Sequence, residues 1–111
     1  MTDEITPGVQ VHVDNAIRAL ETKTILSVVY DGKQKDVEVH AVGLSTKDNA
    51  PVIRAFQVDG EASRPLPCWA LLRADQINAS TTLPLIASEA PRPGYARGDK
   101  QMSKIIKEIT L

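Results

Sequence analysis

The stretch PVIRAFQVDGEASRPLPCWALLRADQINA, residues 51–79, decides the fold. It holds two apolar-rich runs, 52–58 and 69–74, parted by the polar, proline-containing excursion 59–67. In the first run Ile53, Ala55 and Gln57 point one way and Val52, Arg54 and Phe56 the other, because strand side chains alternate between faces. Both sets are mostly apolar, so this strand reads as central. The second run, a strand over 68–73, carries the only tryptophan, Trp69. After it Ala74-Asp75-Gln76-Ile77 reads as a tight turn with Ile77 anchored in the core. The excursion is too long for a tight hairpin and belongs at the surface.

Working outward, TILSVVYD at 24–31 is a strand, and Asp31-Gly32 supplies residues that tolerate positive φ in a two-residue hairpin. The return, KDVEVHAVGL at 35–44, sets Val37, Val39 and Ala41 on one face and Asp36, Glu38 and His40 on the other. That alternation predicts a half-buried antiparallel strand with a solvated polar face. Gly43 breaks the run at a bend or bulge. Pro51 opens the next strand where its missing amide does little harm. A fifth strand fits 78–86, ending near Pro84. Five short strands with sharp turns predict a small Sm-like β-barrel.

The ends flank this mostly β body. Residues 1–12 read as a flexible arm, with Pro7-Gly8 as a turn signal and an alternation over 9–13 compatible with a short edge strand. Asp14 suits the N-cap of a short helix over 15–22. Residues 90–100, APRPGYARGDK, predict an extended, solvated basic connector. Asp99 would then cap a C-terminal helix with Met102, Ile105, Ile106 and Ile109 on one face. The expected layout is an arm (1–12), a barrel with its leading helix (13–89), and a connector with final helix (90–111).

Composition narrows the function. At 111 residues the chain fits one domain, and four aromatic residues leave Val, Ile, Leu and Ala to fill its core. A net charge of −1 excludes a protein that coats nucleic acid by bulk charge, while thirteen Lys and Arg leave room for a local basic site. Cys68 is the one cysteine, and with two histidines no metal-ligand spacing exists, so no metal or cofactor is expected. No run approaches the roughly 20 apolar residues of a membrane helix, so cytoplasm is the expected setting. Nothing resembles a nucleophile elbow, a phosphate-binding glycine loop or a paired-acid site, and no enzyme is expected.

The pieces Ile53-Arg54-Ala55-Phe56, Trp69-Ala70-Leu71-Leu72-Arg73 and Asp75-Gln76-Ile77, with Tyr30-Asp31-Gly32 and His40-Ala41-Val42-Gly43 upstream, resemble the WYL domain. That family is a small Sm-type barrel of many bacterial regulators. The tail PRPGY…GDK…M…I…I resembles the end of its small stand-alone members, and the likeness spans residues 14–109. It departs at the naming tripeptide, Trp69-Ala70-Leu71, whose second position is not aromatic. The resemblance implies a ligand-sensing module that binds nucleotides or short single-stranded nucleic acid in a basic groove. The sequence carries no helix-turn-helix ahead of the barrel, so regulation would run through a partner protein or the ligand.

Candidate ligand-binding residues are Arg54, Arg73, Trp69, His40, Tyr30 and Gln57. Two arginines on neighbouring strands suit a paired phosphate fork, because each planar guanidinium matches two oxygens. Alternatively each pairs with an acid of its own domain, such as Asp75 or Glu38. Trp69 and Tyr30 are either stacking platforms or core. His40 is either a solvated or hydrogen-bonded strand residue or a groove contact. Arg92, Tyr95, Arg97 and Lys100 form the one dense basic stretch and include an aromatic, which suits tracking a nucleic-acid backbone. The bland reading is a solvated connector kept extended by its prolines. The competing function is a protein adaptor or homodimer whose last helix forms the interface and whose arginines are structural.

Overall fold

The structure, a computed structural model, describes residues 7–110. Helix α1 (Pro7–Thr22) precedes β1 (Thr24–Tyr30), β2 (Lys33–Ser45), β3 (Pro51–Gly60), β4 (Cys68–Arg73), β5 (Ile77–Ala87) and β6 (Met102–Glu108). A 3-10 turn, Ala74–Gln76, joins β4 to β5 and leaves Ile77 buried. The first hairpin turns through Asp31 and Gly32 at φ 49° and 80°, the left-handed pair that a two-residue loop requires.

The strands form one antiparallel sheet in the order β4-β3-β2-β1-β5, with β6 paired to β2. β2 organises it. Along one side β2 pairs with β3; along the other, its first half pairs with β1 and its second half, from Ala41 to Ser45, with β6. The end strands β4 and β5 do not pair, so the sheet is open and the expected closed barrel is not formed. Helix α1 buries Val13, Ala16, Ala19 and Leu20. They meet Leu26, Val28, Val37, Val39, Ile53, Ala55 and Leu72 in the main core. Among the described residues no helix is long and apolar enough to cross a membrane.

Several expectations are corrected. Residues 1–6 of the expected arm lie outside the described residues, and the rest is helix. Pro7 opens α1, where its missing amide is one of the first-turn donors that lack a partner anyway. Val9 and Val13 pack inward while Val11 stays exposed, so the alternation of 9–13 is not a strand. Asp14 is not a cap; it accepts from the Gln10 side-chain amide at 2.8 Å. β5 continues past Pro84 because three residues, 84–86, bulge out between the Ile25–Leu83 and Thr24–Ala87 pairs.

The largest correction is at the C-terminus, where β6 replaces the expected helix. Lys104 and Met102 face the adjacent residues Leu44 and Ser45, and Lys107 and Ile105 face Val42 and Gly43. Ser103 and Ile106 are therefore extra residues, one in each of two bulges. Each bulge shifts the alternation by one, so Met102, Ile105 and Glu108 turn inward at a spacing of three. A twice-bulged strand thus imitates a helical stripe.

Gly43 is where β6 comes closest. A Cβ there would strike the Lys104 carbonyl oxygen and sit 2.7 Å from the Met102 sulfur. Gly43→Ala is therefore expected to push β6 off β2 and cost about 1–3 kcal/mol. Urea unfolding with amide exchange at Ile105 and Lys107 checks this. Unchanged stability and protection would show that the close approach does not matter.

Candidate functional site

The face of the sheet away from α1 holds most of the chemistry. Glu38, Phe56 and Trp69 lie side by side on β2, β3 and β4, because Glu38 pairs with Phe56 and Phe56 with Trp69. His40 is the extra residue of a bulge, since Val39 and Ala41 face the adjacent residues Ala55 and Arg54. The bulge frees the His40 carbonyl, which accepts from the Ile109 amide at 2.8 Å.

Residues 88–101 cross this face as a strap. The predicted polar face of β2 is therefore not solvated: Glu38 is 1 % and His40 0 % exposed. Glu38 takes both arms of Arg92, Nε at 2.6 Å and Nη2 at 3.2 Å, and accepts the Glu89 amide at 2.6 Å. Arg92 also lies 5.2 Å from the centre of the Phe56 ring. His40 Nε2 accepts from the Arg92 amide at 3.0 Å, which leaves Nδ1–H to donate to the Glu38 carbonyl, also at 3.0 Å. Both ring nitrogens are used. The imidazole is neutral, and burial, foremost, lowers its pKa.

The far end of the strap is hooked by Glu108. Its carboxylate accepts from the Tyr95 hydroxyl at 2.6 Å and the Gly98 amide at 2.8 Å, and pairs with Arg97 at 3.4 Å. Burial first, then the hydrogen bond to Glu108 and its charge, raise the Tyr95 phenol. Asp99, expected as a helix cap, binds Arg54 instead, Oδ2 to Nε at 2.6 Å and Oδ1 to Nη2 at 3.4 Å. Burial works to raise the Asp99 carboxyl. Hydrogen bonds from Arg54 and the Gln101 amide outweigh it and hold the group below its ordinary value.

Between strap and sheet lies a hollow of about 270 Å³, walled by Arg54 and Trp69 and roofed by residues 94–100. Here Arg54, Trp69, Tyr95, Arg97 and Lys100 come together, drawn from both predicted sets. Trp69 is ringed by His40, Phe56 and Tyr95 at centroid distances of 4.7, 4.9 and 6.1 Å. Its indole N–H donates to no described residue. Since no buried side-chain nitrogen among the described residues lacks a partner, that N–H keeps some contact with solvent beside Gly94. Arg97 is 55 % exposed, and Lys100 has no ion pair among the described residues.

The other predicted residues lie elsewhere. Arg73 and Tyr30 line a separate hollow of about 390 Å³. Arg73 is held by Asp75 at 2.9 Å and Asp48 at 3.0 Å, which raise its pKa, so no shared fork with Arg54 forms. Tyr30 donates to Gln76 at 2.8 Å and accepts the Arg73 amide at 3.1 Å. Gln57 is buried, its amide bonded to the carbonyls of Asp59 and Glu61. His40 and Arg92 hold the strap and do not line the hollow. Sequence reasoning missed Asp99 and Glu108 as partners of the basic residues and offered Glu38 only to the strand arginines, not to Arg92. Arg54 and Asp99 lie 45 residues apart and Glu38 and Arg92 54, so no local pattern marks these pairs. Among the described residues no group of three His, Cys, Asp or Glu could hold a metal ion. No family model matches the chain, and neither a curated protein nor a solved structure does.

His40 gives a pH prediction. Its folded pKa is below the ordinary 6.5, so the unfolded chain binds the proton more readily. Its contribution is intact above the unfolded value and lost as pH falls below it, by up to about 1.4 kcal/mol per pH unit. His12, also lowered by burial, acts in the same direction. Urea unfolding of a His12→Asn variant should therefore show stability falling from neutral pH toward about pH 5. A flat profile would mean that His40 is not held neutral.

Proposed function

We propose that the chain is a binding module of the WYL type that recognises a nucleotide or short single-stranded nucleic acid in the hollow between strap and sheet. The observation that carries this reading is the meeting of Arg54, Arg97 and Lys100 with the Trp69 indole around one open cavity. Three cations meet two carboxylates, Asp99 on Arg54 and Glu108 on Arg97, which leaves one positive charge in excess at the hollow of a chain of net charge −1. Such a groove attracts phosphate oxygens without basic bulk charge. The WYL assignment draws its support from the sequence resemblance around Arg54 and Trp69, the two residues that wall the hollow. In this reading the module is cytoplasmic, performs no catalysis, and acts by sequestering its ligand or signalling to a partner protein.

A second reading, a protein adaptor or homodimer, is favoured by one observation. Both strand arginines are already paired with carboxylates, as structural arginines would be. The interface would not be a C-terminal helix, since that segment is β6.

Trp69, the only tryptophan, reports on the hollow. Titration with decathymidylate at low salt should change its fluorescence saturably. Arg97→Ala with Lys100→Ala should weaken binding about tenfold and lower the salt slope by about 1.4, two single-strand phosphate contacts. The melting temperature should hardly move, because both side chains are on the surface. No saturable response to oligonucleotides or nucleotides, with a dimer seen by light scattering, would replace this reading with the second.

A further inference from the structure

The contents of the hollow say more about which part of a nucleotide it would read. A stacked base needs an open aromatic face, and Trp69 offers little. Three rings surround it, and the 6.1 Å to Tyr95 is less than the roughly 7 Å, twice the ~3.4 Å rise of stacked bases, that a base between them requires. What the hollow presents is a set of donors: the Arg54 guanidinium, Arg97, Lys100 and the free indole N–H. These suit an oxyanion.

One oxyanion is already there. The Asp99 carboxylate lies on Arg54 in the side-on, two-point arrangement that a phosphate would use. Asp99 is 7 % exposed in its side chain and Arg54 19 %. Asp99 belongs to the roof, while Arg54 stands on β3 in the sheet. The pair thus ties roof to wall across the place where a ligand would sit.

Resting on the reading above, we propose that the hollow recognises a phosphate group rather than a base, and that the phosphate displaces Asp99 from Arg54. The ligand class is a phosphate monoester or phosphodiester, bound without regard to base identity. Two phosphate oxygens take over the guanidinium, and the indole N–H with Lys100 or Arg97 satisfies the rest. No covalent step is involved. Asp99 is thereby an internal competitor. It lowers the apparent affinity by the fraction of molecules in which Arg54 is occupied.

Asp99→Asn keeps the size of the side chain and an oxygen for the Gln101 amide, but removes the charge that holds Arg54. Binding of inorganic phosphate, thymidine, thymidine monophosphate and decathymidylate is read from Trp69 fluorescence. Asp99→Asn should bind thymidine monophosphate or decathymidylate about tenfold more tightly than wild type. Thymidine, which has no phosphate, should leave both proteins silent. Whichever of the monoester and the diester saturates first names the source of the phosphate.

Glu108→Gln separates competition from loosening of the roof. It weakens the other hook while leaving Arg54 with Asp99, and, made in an Arg97→Ala background so that it frees no cation, should give no gain over Arg97→Ala alone. An equal gain from Glu108→Gln in that background, binding of thymidine as tight as its phosphate, or unchanged or weaker binding in Asp99→Asn would each overturn the proposal. If wild type binds and the Arg97/Lys100 double variant weakens it while Asp99→Asn gains nothing, only this inference fails. If neither wild type nor Asp99→Asn binds any probe, the nucleotide reading fails with it.

Discussion

A carboxylate removed from water has to find a cation, and Glu38 is the one that shapes this molecule. It sits in the middle of β2 with almost no exposure, and nothing on the sheet neutralises it. Arg92, on the strap 54 residues later, supplies both arms of its guanidinium, and the Glu89 amide adds a third donor. Taking one partner from a buried pair costs about 3–5 kcal/mol, a large part of the 5–15 kcal/mol that holds a typical domain together. The strap is therefore bound to the sheet at its start. His40 fixes the Arg92 backbone beside it, and Glu108 fixes the far end. The hollow exists because those three attachments leave residues 94–100 spanning the gap over Arg54 and Trp69.

The same economy governs the other charges. Arg54, Arg73, Arg92, Arg97 and Lys107 all meet carboxylates of the chain itself. A count of basic residues thus overstates the positive surface. What distinguishes the hollow is not its number of cations but that one of them, Arg54, is partnered by a carboxylate from the roof. A pair that bridges the roof and wall of a hollow can exchange for a ligand, whereas Arg73 is held from two sides, by Asp75 two residues on and by Asp48.

The core of the sheet was legible because its signals are local. Strand alternation, the Asp31-Gly32 turn and Pro51 at a strand start each act within a few residues, and β1 to β4 follow them. What misled were features whose cause lies far along the chain. The inward spacing of Met102 and Ile105 comes from bulges against β2, so it carries the period of a helix without being one. Glu38 and His40 have the pattern of a wet face, and only the strap makes that face dry. Pro7-Gly8 has the composition of a turn, yet a proline at a helix start is equally at home.

The candidate site was legible in its members more than in its geometry. Arg54, Trp69, Tyr95, Arg97 and Lys100 were all singled out, but in two unrelated groups. Their convergence depends on where the strap lies. Asp99 is the clearest loss: the rule that places an acid ahead of a helix captured it before any partner on β3 was considered. Even so, the reading that each arginine pairs with an acid of its own domain names the Arg73–Asp75 pair directly.

The attachment of the strap underlies both the hollow and its proposed ligand, and hydrogen exchange at the Glu89 and Arg92 amides tests it most directly. These amides donate to Glu38 and His40, and neither belongs to a strand. If the strap is bound as described, both exchange only when the whole domain unfolds, as slowly as the amides of β2. Exchange at the rate of an open loop, with β2 still protected, would show a strap that leaves the sheet freely, and the hollow would lose its roof.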